Sequence, residues 1–459
     1  MHCNNKIVMV YILTWIVSVL LYVYCPNEYD ALYNVILFSL YMVAYVNIFK
    51  DSKPIYLNFS TVFLGVNIFI VYLFPLIFVA LEETNLPFIT FQEQYINKGT
   101  ALCTLLSLSY IMGYSSYRAK IKSSIEVVSS YRAKRLLKKM LYLFSIVIFI
   151  YYIPKLGMSY ASVANMKLES ILSLVLCLFA VYLSYLCWVN RALIMDTYGF
   201  LTVLKQPLLL LMLLFLLYVI LGIRSSALQL LLMPICLYSI YVKNINYRRV
   251  LFLGIVGLIG FSVISFTRTA FEYDLKEVYS LSSGFSIQTL LVLFNDFITN
   301  TKNIYLGLEY VDRYDYLYGQ SFLLCPFSFA PYLPTLIAKF IFHKTPAEMS
   351  TQWILTDFAE IRYLGDQDSL IGTQCYIDLY MNMGLFLSIV ILICLGRLVK
   401  YIHAHRNHNL YFSSIYVILF SYSVFMGRGS IADPLRLIIW VVVLIYIFIA
   451  KDRLVTLKS

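Results

Sequence analysis

The chain has 459 residues, is 61% hydrophobic and only 13% charged, and carries a formal net charge of +11 at pH 7. Soluble globular domains are nearer half apolar and a quarter charged, so a water-soluble fold is excluded. Repeated apolar runs of about 16–24 residues point instead to an all-α polytopic membrane protein.

The first run, "IVMVYILTWIVSVLLYVYC", follows a start bearing only Lys6. No pair of small residues of the A-x-A kind precedes "CPNEYD", so the run is expected to stay as a first helix rather than be cleaved as a signal peptide. In chain order, twelve spans are predicted, at 7–25, 31–49, 58–81, 99–117, 140–154, 170–190, 206–222, 226–242, 250–266, 376–396, 411–427 and 435–450.

With the N-terminus cytoplasmic, the inner segments hold 22 of the 35 Lys and Arg, 8 of them in "RAKIKSSIEVVSSYRAKRLLKK", whereas 20 of the 24 acidic residues fall outside. The basic bias sets orientation, so both termini are expected in the cytoplasm. The net positive charge is then a consequence of topology and implies no nucleic-acid partner.

Three regions follow: a transmembrane bundle of about nine helices over 1–266, a long outer loop over 267–375, and C-terminal helices over 376–459. A loop of that length tends to carry function. Its apolar pieces, "FSIQTLLVLFNDFI" and "FLLCPFSFAPYLPTLIAKFIF", are short or broken by proline. They read as short amphipathic interfacial or re-entrant helices, unless they conceal a further pair of spans.

Nine cysteines give no C-x-x-C pair, and most of them lie inside apolar runs. There cysteine acts as a small hydrophobe, so neither a structural zinc nor a redox pair is indicated. "DQD" at 366–368 has the spacing of a metal-binding sugar-nucleotide motif, and "HAHRNH" at 403–408 is rich in histidine. Nucleotide sugars are cytoplasmic while the first lies outside, and the second reads as a solvated inner turn; no metal or cofactor is expected.

Four basic residues stand out on the outer side. Arg224 sits in "GIRSS", the tight turn between spans seven and eight; Arg268 leaves span nine; Lys344 lies in "FHKTPAEMS"; Arg428 lies in "FMGRGSIADPLR". Charges near a bilayer are costly unless solvated or paired. Any one of them can simply snorkel to headgroups, but several converging cations suit an anionic group such as a lipid pyrophosphate, which the planar Arg fork binds through two parallel hydrogen bonds.

"YIDLYMNMG" opens span ten, and a spacing of four puts Asp378 and Asn382 on one helix face. With Tyr380 they can line a cavity and bind sugar hydroxyls, or serve as a polar stripe between helices. His343, the one outer histidine, is a candidate general base, and Tyr314, Tyr316, Tyr318 and Trp353 are candidate sugar platforms.

These segments resemble the O-antigen polymerases, the oligosaccharide repeat-unit polymerases, and more distantly the enterobacterial common antigen polymerase. "GIRSSALQLLL" resembles the family's G-(S/T)-R element, "HKTP" its basic-then-Pro element, "DLYMNMG" its E-x-Y-x-N-x-G pattern, and "MGRGSIAD" its late arginine turn. Arg268 matches by position alone. Asp378 stands where Glu is usual and Lys344 where Arg is common.

The resemblance implies a metal-independent GT-C-type inverting glycosyltransferase with undecaprenyl-pyrophosphate-linked oligosaccharides as donor and acceptor, and a possible chain-length regulator as partner. Arg224, Arg268, Lys344 and Arg428 would hold the pyrophosphate, Asp378 or His343 would take the acceptor's proton, and Tyr380 and Asn382 would bind glycan. A lipid-linked oligosaccharide flippase and an O-antigen ligase are the rival readings.

Overall fold

The computed structural model describes residues 5–52, 55–82, 92–117, 131–155, 169–194, 196–250, 252, 254, 257, 287–329, 332–364 and 372–450. Among these residues the chain is helical, with no strand. In order the helices are α1 (Asn5–Val23), α2 (Ala31–Asp51), α3 (Phe59–Asn67), α4 (Leu73–Glu82), α5 (Gln94–Ser116), α6 (Tyr131–Tyr152), α7 (Glu169–Val189) and α8 (Thr197–Ile220). They continue with α9 (Arg224–Tyr241), α10 (Ile287–Tyr314), α11 (Leu333–Ile341), α12 (Thr351–Ala359), α13 (Cys375–His405), α14 (Leu410–Tyr422) and α15 (Ala432–Ile445).

Among the described residues, six helices are long and apolar enough to cross a membrane: Ala31–Asp51, Phe59–Ile77, Arg132–Lys155, Ser170–Val189, Thr197–Ile220 and Cys375–His405. Met9–Val23, Ser225–Tyr241 and Leu410–Tyr422 are apolar but shorter. Of the other predicted spans, 99–117 is α5, studded with Thr and Ser, 435–450 is the shorter α15 with the π turn that follows it, and 250–266 lies chiefly outside the described residues.

The central helix is α5, buried along nearly its whole length. Its polar side chains turn inward on their own backbone: Thr100, Thr104 and Ser109 donate to the carbonyls of Ile96, Thr100 and Leu105. That satisfies hydroxyls that an apolar interior leaves no water to satisfy. Its main partner is α13. Where they cross, a Cβ on Gly113 would collide with the Ile393 carbonyl, and one on Gly396 with the Tyr110 carbonyl. Small residues that let two backbones touch are the usual means of packing helices in lipid. Gly396→Val should therefore separate α5 from α13; overpacking of a core costs typically about 1–3 kcal/mol, and more where the obstacle is backbone. A thermal-unfolding midpoint in detergent equal to that of the unmodified protein would refute this.

Between α3 and α4 the helix widens into a π turn, Ile68–Tyr72, just ahead of Pro75. Pro75 has no N–H for the Ile70 carbonyl in the i→i−5 register. The Thr301 hydroxyl of α10 takes that carbonyl instead.

α10 corrects the expectation that 267–375 holds only short interfacial helices. It is 28 residues long and packs into the bundle against α5 and α13, with Ile304, Tyr305 and Leu306 buried. The "FSIQTLLVLFNDFI" piece belongs largely to its first half. The short helices expected there are α11 and α12, 9 residues each.

The "GIRSS" turn is as tight as predicted. α8 closes with the Gly222 N–H on the Val219 carbonyl and the Ile223 N–H on the Tyr218 carbonyl, at 3.1 and 2.8 Å, with Gly222 at φ +74°. This is the Schellman closure that glycine favours. Arg224 is then the first residue of α9, and its side chain lies outside the described part.

Candidate functional site

A break in α13 builds the site. Gly384 has φ 68° and ψ 177° inside the helix, dividing it into a short limb, 375–383, and a long one, 385–405. The break leaves the Met381 and Asn382 carbonyls without the amides that an unbroken helix would bring. The Leu317 and Gly319 N–H groups take them at 2.7 and 2.8 Å. The segment after α10 is thereby laid on the short limb, with the Tyr316 ring against Gly384 and 5.6 Å from the Tyr380 ring. At the other end of this limb the Gln374 side chain caps the helix, accepting from the Tyr376 and Ile377 N–H groups.

The Asp378 side chain, 0% exposed, is the hub of the site. One carboxylate oxygen accepts from the Thr351 hydroxyl at 2.6 Å and faces the Asn382 amide at 3.3 Å; the other accepts from the Ser430 hydroxyl at 2.6 Å and the Ile431 N–H at 3.3 Å. Asn382, also buried, donates to the Asp378 carbonyl and to Thr351, and its own carbonyl oxygen accepts from the Ser321 N–H at 3.1 Å. A carboxylate away from water needs such partners. For Asp378 they come from the start of α12 and the turn before α15, and Asn382 adds the segment after α10, so two neighbouring side chains tie three chain segments to α13.

Three of the four segments singled out in the sequence meet here. Arg428 is half-buried in a 3₁₀ turn, Met426–Arg428, two residues before Ser430. Lys344 is exposed, and its ammonium donates to the Gln320 carboxamide at 3.1 Å, next to the Ser321 that holds Asn382. Gln320 in turn donates to the Glu348 carbonyl. Arg224 is placed only by its backbone, and Arg268 and "DQD" lie outside the described residues.

The two candidate proton acceptors are placed differently from expectation. Asp378 has both oxygens taken and no exposed surface, which makes it an organiser of the site; to accept a substrate proton it would have to give up a bond. His343 is exposed, with φ +54°, in the left-handed position that closes α11, where the Lys344 N–H returns to the Ala338 carbonyl at 3.0 Å. Among the described residues no hydrogen bond joins His343 to Asp378. Tyr314 and Tyr318 are exposed, Trp353 is 40% exposed, and Tyr316 is packed against Tyr380.

A second polar cluster was not anticipated. Glu309 of α10 is fully buried and faces Arg362 at 2.6 Å and Arg313 at 3.1 Å, and its other oxygen accepts from the Tyr363 hydroxyl at 2.7 Å. Partial burial pushes the Tyr363 phenol up, and donation to Glu309 pushes it further. Residues 351–364 thus form a strap held at one end by Asp378, through Thr351, and at the other by Glu309, through Arg362 and Tyr363. The i,i+4 pair Glu309–Arg313 in "LEYVDR" was the available signal. Among the described residues no group of three or more His, Cys, Asp or Glu side chains is placed to hold a metal ion.

No family model, curated protein or solved structure matches the chain.

Proposed function

We propose that the protein is an O-antigen polymerase: a GT-C-type inverting glycosyltransferase of the bacterial inner membrane, working at the periplasmic face on undecaprenyl-pyrophosphate-linked oligosaccharides. One observation supports this reading above the others. The Asp378–Asn382 and Arg428 segments, far apart in sequence, are joined by the buried Asp378 carboxylate, and the Lys344 segment adjoins them through Gln320, whose neighbour Ser321 binds Asn382; all three resemble polymerase elements.

In the proposed reaction the acceptor sugar's hydroxyl attacks the anomeric carbon of the donor glycan. The new C–O bond forms as the bond to undecaprenyl pyrophosphate breaks, the pyrophosphate leaves with the electron pair, and the hydroxyl proton passes to a base. Cations placed where that negative charge grows would lower the barrier without a metal. Lys344, beside the Asp378–Asn382 cluster through Gln320, Arg428, two residues before Ser430, and Arg224, opening α9 straight after a closed turn, would be those cations. The Asn382 and Tyr380 side chains would meet glycan beside them.

Deleting the gene in a strain that makes long lipopolysaccharide chains should leave single-repeat caps on the lipid A-core. Complete absence of repeats would point to the ligase or flippase, and an unchanged ladder would refute the reading. Arg224→Lys should insert normally yet fail to restore the ladder, because an ammonium lacks the guanidinium's two parallel donors. A full ladder from that variant would remove Arg224 from the site.

A further inference from the structure

Among the described residues, α11 carries an exposed apolar face. Its inner side rests on a small cluster in which Ala338 packs with Leu324, Met349 and Ile337. Away from it, Leu336 and Phe340, spaced by four, lie in one line along the helix, and the N-cap residue Tyr332 and the last residue Ile341 flank them; Tyr332 is 80% and Phe340 70% exposed. An apolar strip of this kind marks a binding surface in a folded protein.

Charge identifies the occupant. No acidic residue lies between Tyr316 and Ala347, whereas Lys339 and Lys344 do. Both lysines are exposed, one in the last turn of α11 and the other three residues beyond the helix. A short helix with aromatic and aliphatic side chains on one face and lysines at its edge suits the boundary between acyl chains and anionic headgroups. The neighbourhood agrees. The 3₁₀ helix before α11, Cys325–Phe329, packs on α15, with the Cys325 thiol 3.6 Å from the Ala432 carbonyl. The strip therefore continues from the end of an apolar helix of the bundle.

We propose that α11 is a membrane-surface anchor, its Tyr332–Leu336–Phe340–Ile341 face embedded in an anionic bilayer and Lys339 and Lys344 on headgroup phosphates. Its consequence is one of depth. Lys344 is tethered to Gln320, whose neighbour Ser321 holds Asn382; anchoring α11 fixes the Asp378 cluster level with the phosphates of the bilayer. The anchor requires only that the bundle sits in a membrane, and it holds whichever reaction the protein catalyses.

The test places a photoreactive benzoylphenylalanine at position 340 of the full chain, in nanodiscs containing equal amounts of phosphatidylglycerol and phosphatidylcholine. Val390, exposed on the long limb of α13, is the reference position. Irradiation should give phospholipid adducts at 340 in a yield comparable with that at 390, enriched in phosphatidylglycerol. Lys339→Gln combined with Lys344→Gln should reduce that enrichment by about fivefold for each charge removed. Adducts between two copies of the chain, or no adduct at 340 while 390 labels, would overturn the anchor. Enrichment unchanged in the double variant would overturn the role of the lysines.

Discussion

Asp378→Asn should lower the stability of the folded chain by about 2–4 kcal/mol, the range for breaking a buried, charge-assisted network. The carboxylate has only acceptors to offer, and every group around it donates: the Thr351 and Ser430 hydroxyls, the Ile431 N–H and the Asn382 amide. An asparagine must turn its own NH₂ toward one side. On the Ser430 side it meets the Ile431 N–H, which cannot reverse. On the Thr351 side it meets the Asn382 amide. Either way two donors face each other. Unfolding in detergent, followed against temperature or denaturant, reads the loss. Combining Asp378→Asn with Ser430→Ala should cost less than the sum of the two alone, because both remove the same bond, and coupling of about 1–3 kcal/mol is usual for contacting residues. Additive losses, or an asparagine variant as stable as the unmodified protein, would show that the carboxylate does not join α13 to the start of α12 and the turn before α15. Under the proposed polymerase function the variant should also fail to extend the lipopolysaccharide ladder even at a temperature where it is folded and inserted.

Which parts of this arrangement could be read from the sequence follows from the range of each signal. Long apolar runs report helices directly: 170–190 was predicted and Glu169–Val189 is found, and 31–49 corresponds to Ala31–Asp51. α10 was missed because Asp296, Lys302, Glu309, Asp312 and Arg313 interrupt its apolar pattern. Three of those charges are tolerable because they pair, Glu309 with Arg313 and Arg362, and Asp312 with Lys98, and pairing is invisible to hydropathy. In the site, the shared face of Asp378 and Asn382 was legible from their spacing of four, and the observed contact between them follows from it. Their partners were not legible. Thr351, Ser430 and Ser321 are small hydroxyl residues 27 to 61 positions away from the groups they bind, and a sequence rich in such residues gives no reason to single out these. His343 was chosen for its chemistry, yet its backbone conformation gives it a place in the closure of α11.

Gly384→Ala should be the more damaging of the two changes, although it adds only a methyl group. At φ 68° and ψ 177° the residue occupies a region that is essentially reserved for glycine. A non-glycine residue held there stores strain of about 1–3 kcal/mol even if nothing else moves. Space is not the obstacle, since the new Cβ would lie in ordinary contact with the Tyr316 ring at 3.6 Å. The alternative open to the chain is to relax the break and let the helix run straight through 375–405. That returns the Met381 and Asn382 carbonyls to the helix and takes them from the Leu317 and Gly319 N–H groups. The segment after α10 then loses its seat, Ser321 its hold on Asn382, and the short limb its alignment with Thr351 and Ser430. Strain and straightening are distinguishable. If strain alone operates, the variant unfolds at lower temperature but keeps its activity once folded. If the helix straightens, activity is lost in protein that remains folded and inserted, and a disulfide between cysteines introduced at Leu317 and Met381, formed readily in the glycine protein, no longer forms. The second outcome is expected, because relaxing the strain requires only two backbone hydrogen bonds to change partners. An alanine variant with the original stability and activity would mean that the break in α13 does not build the site.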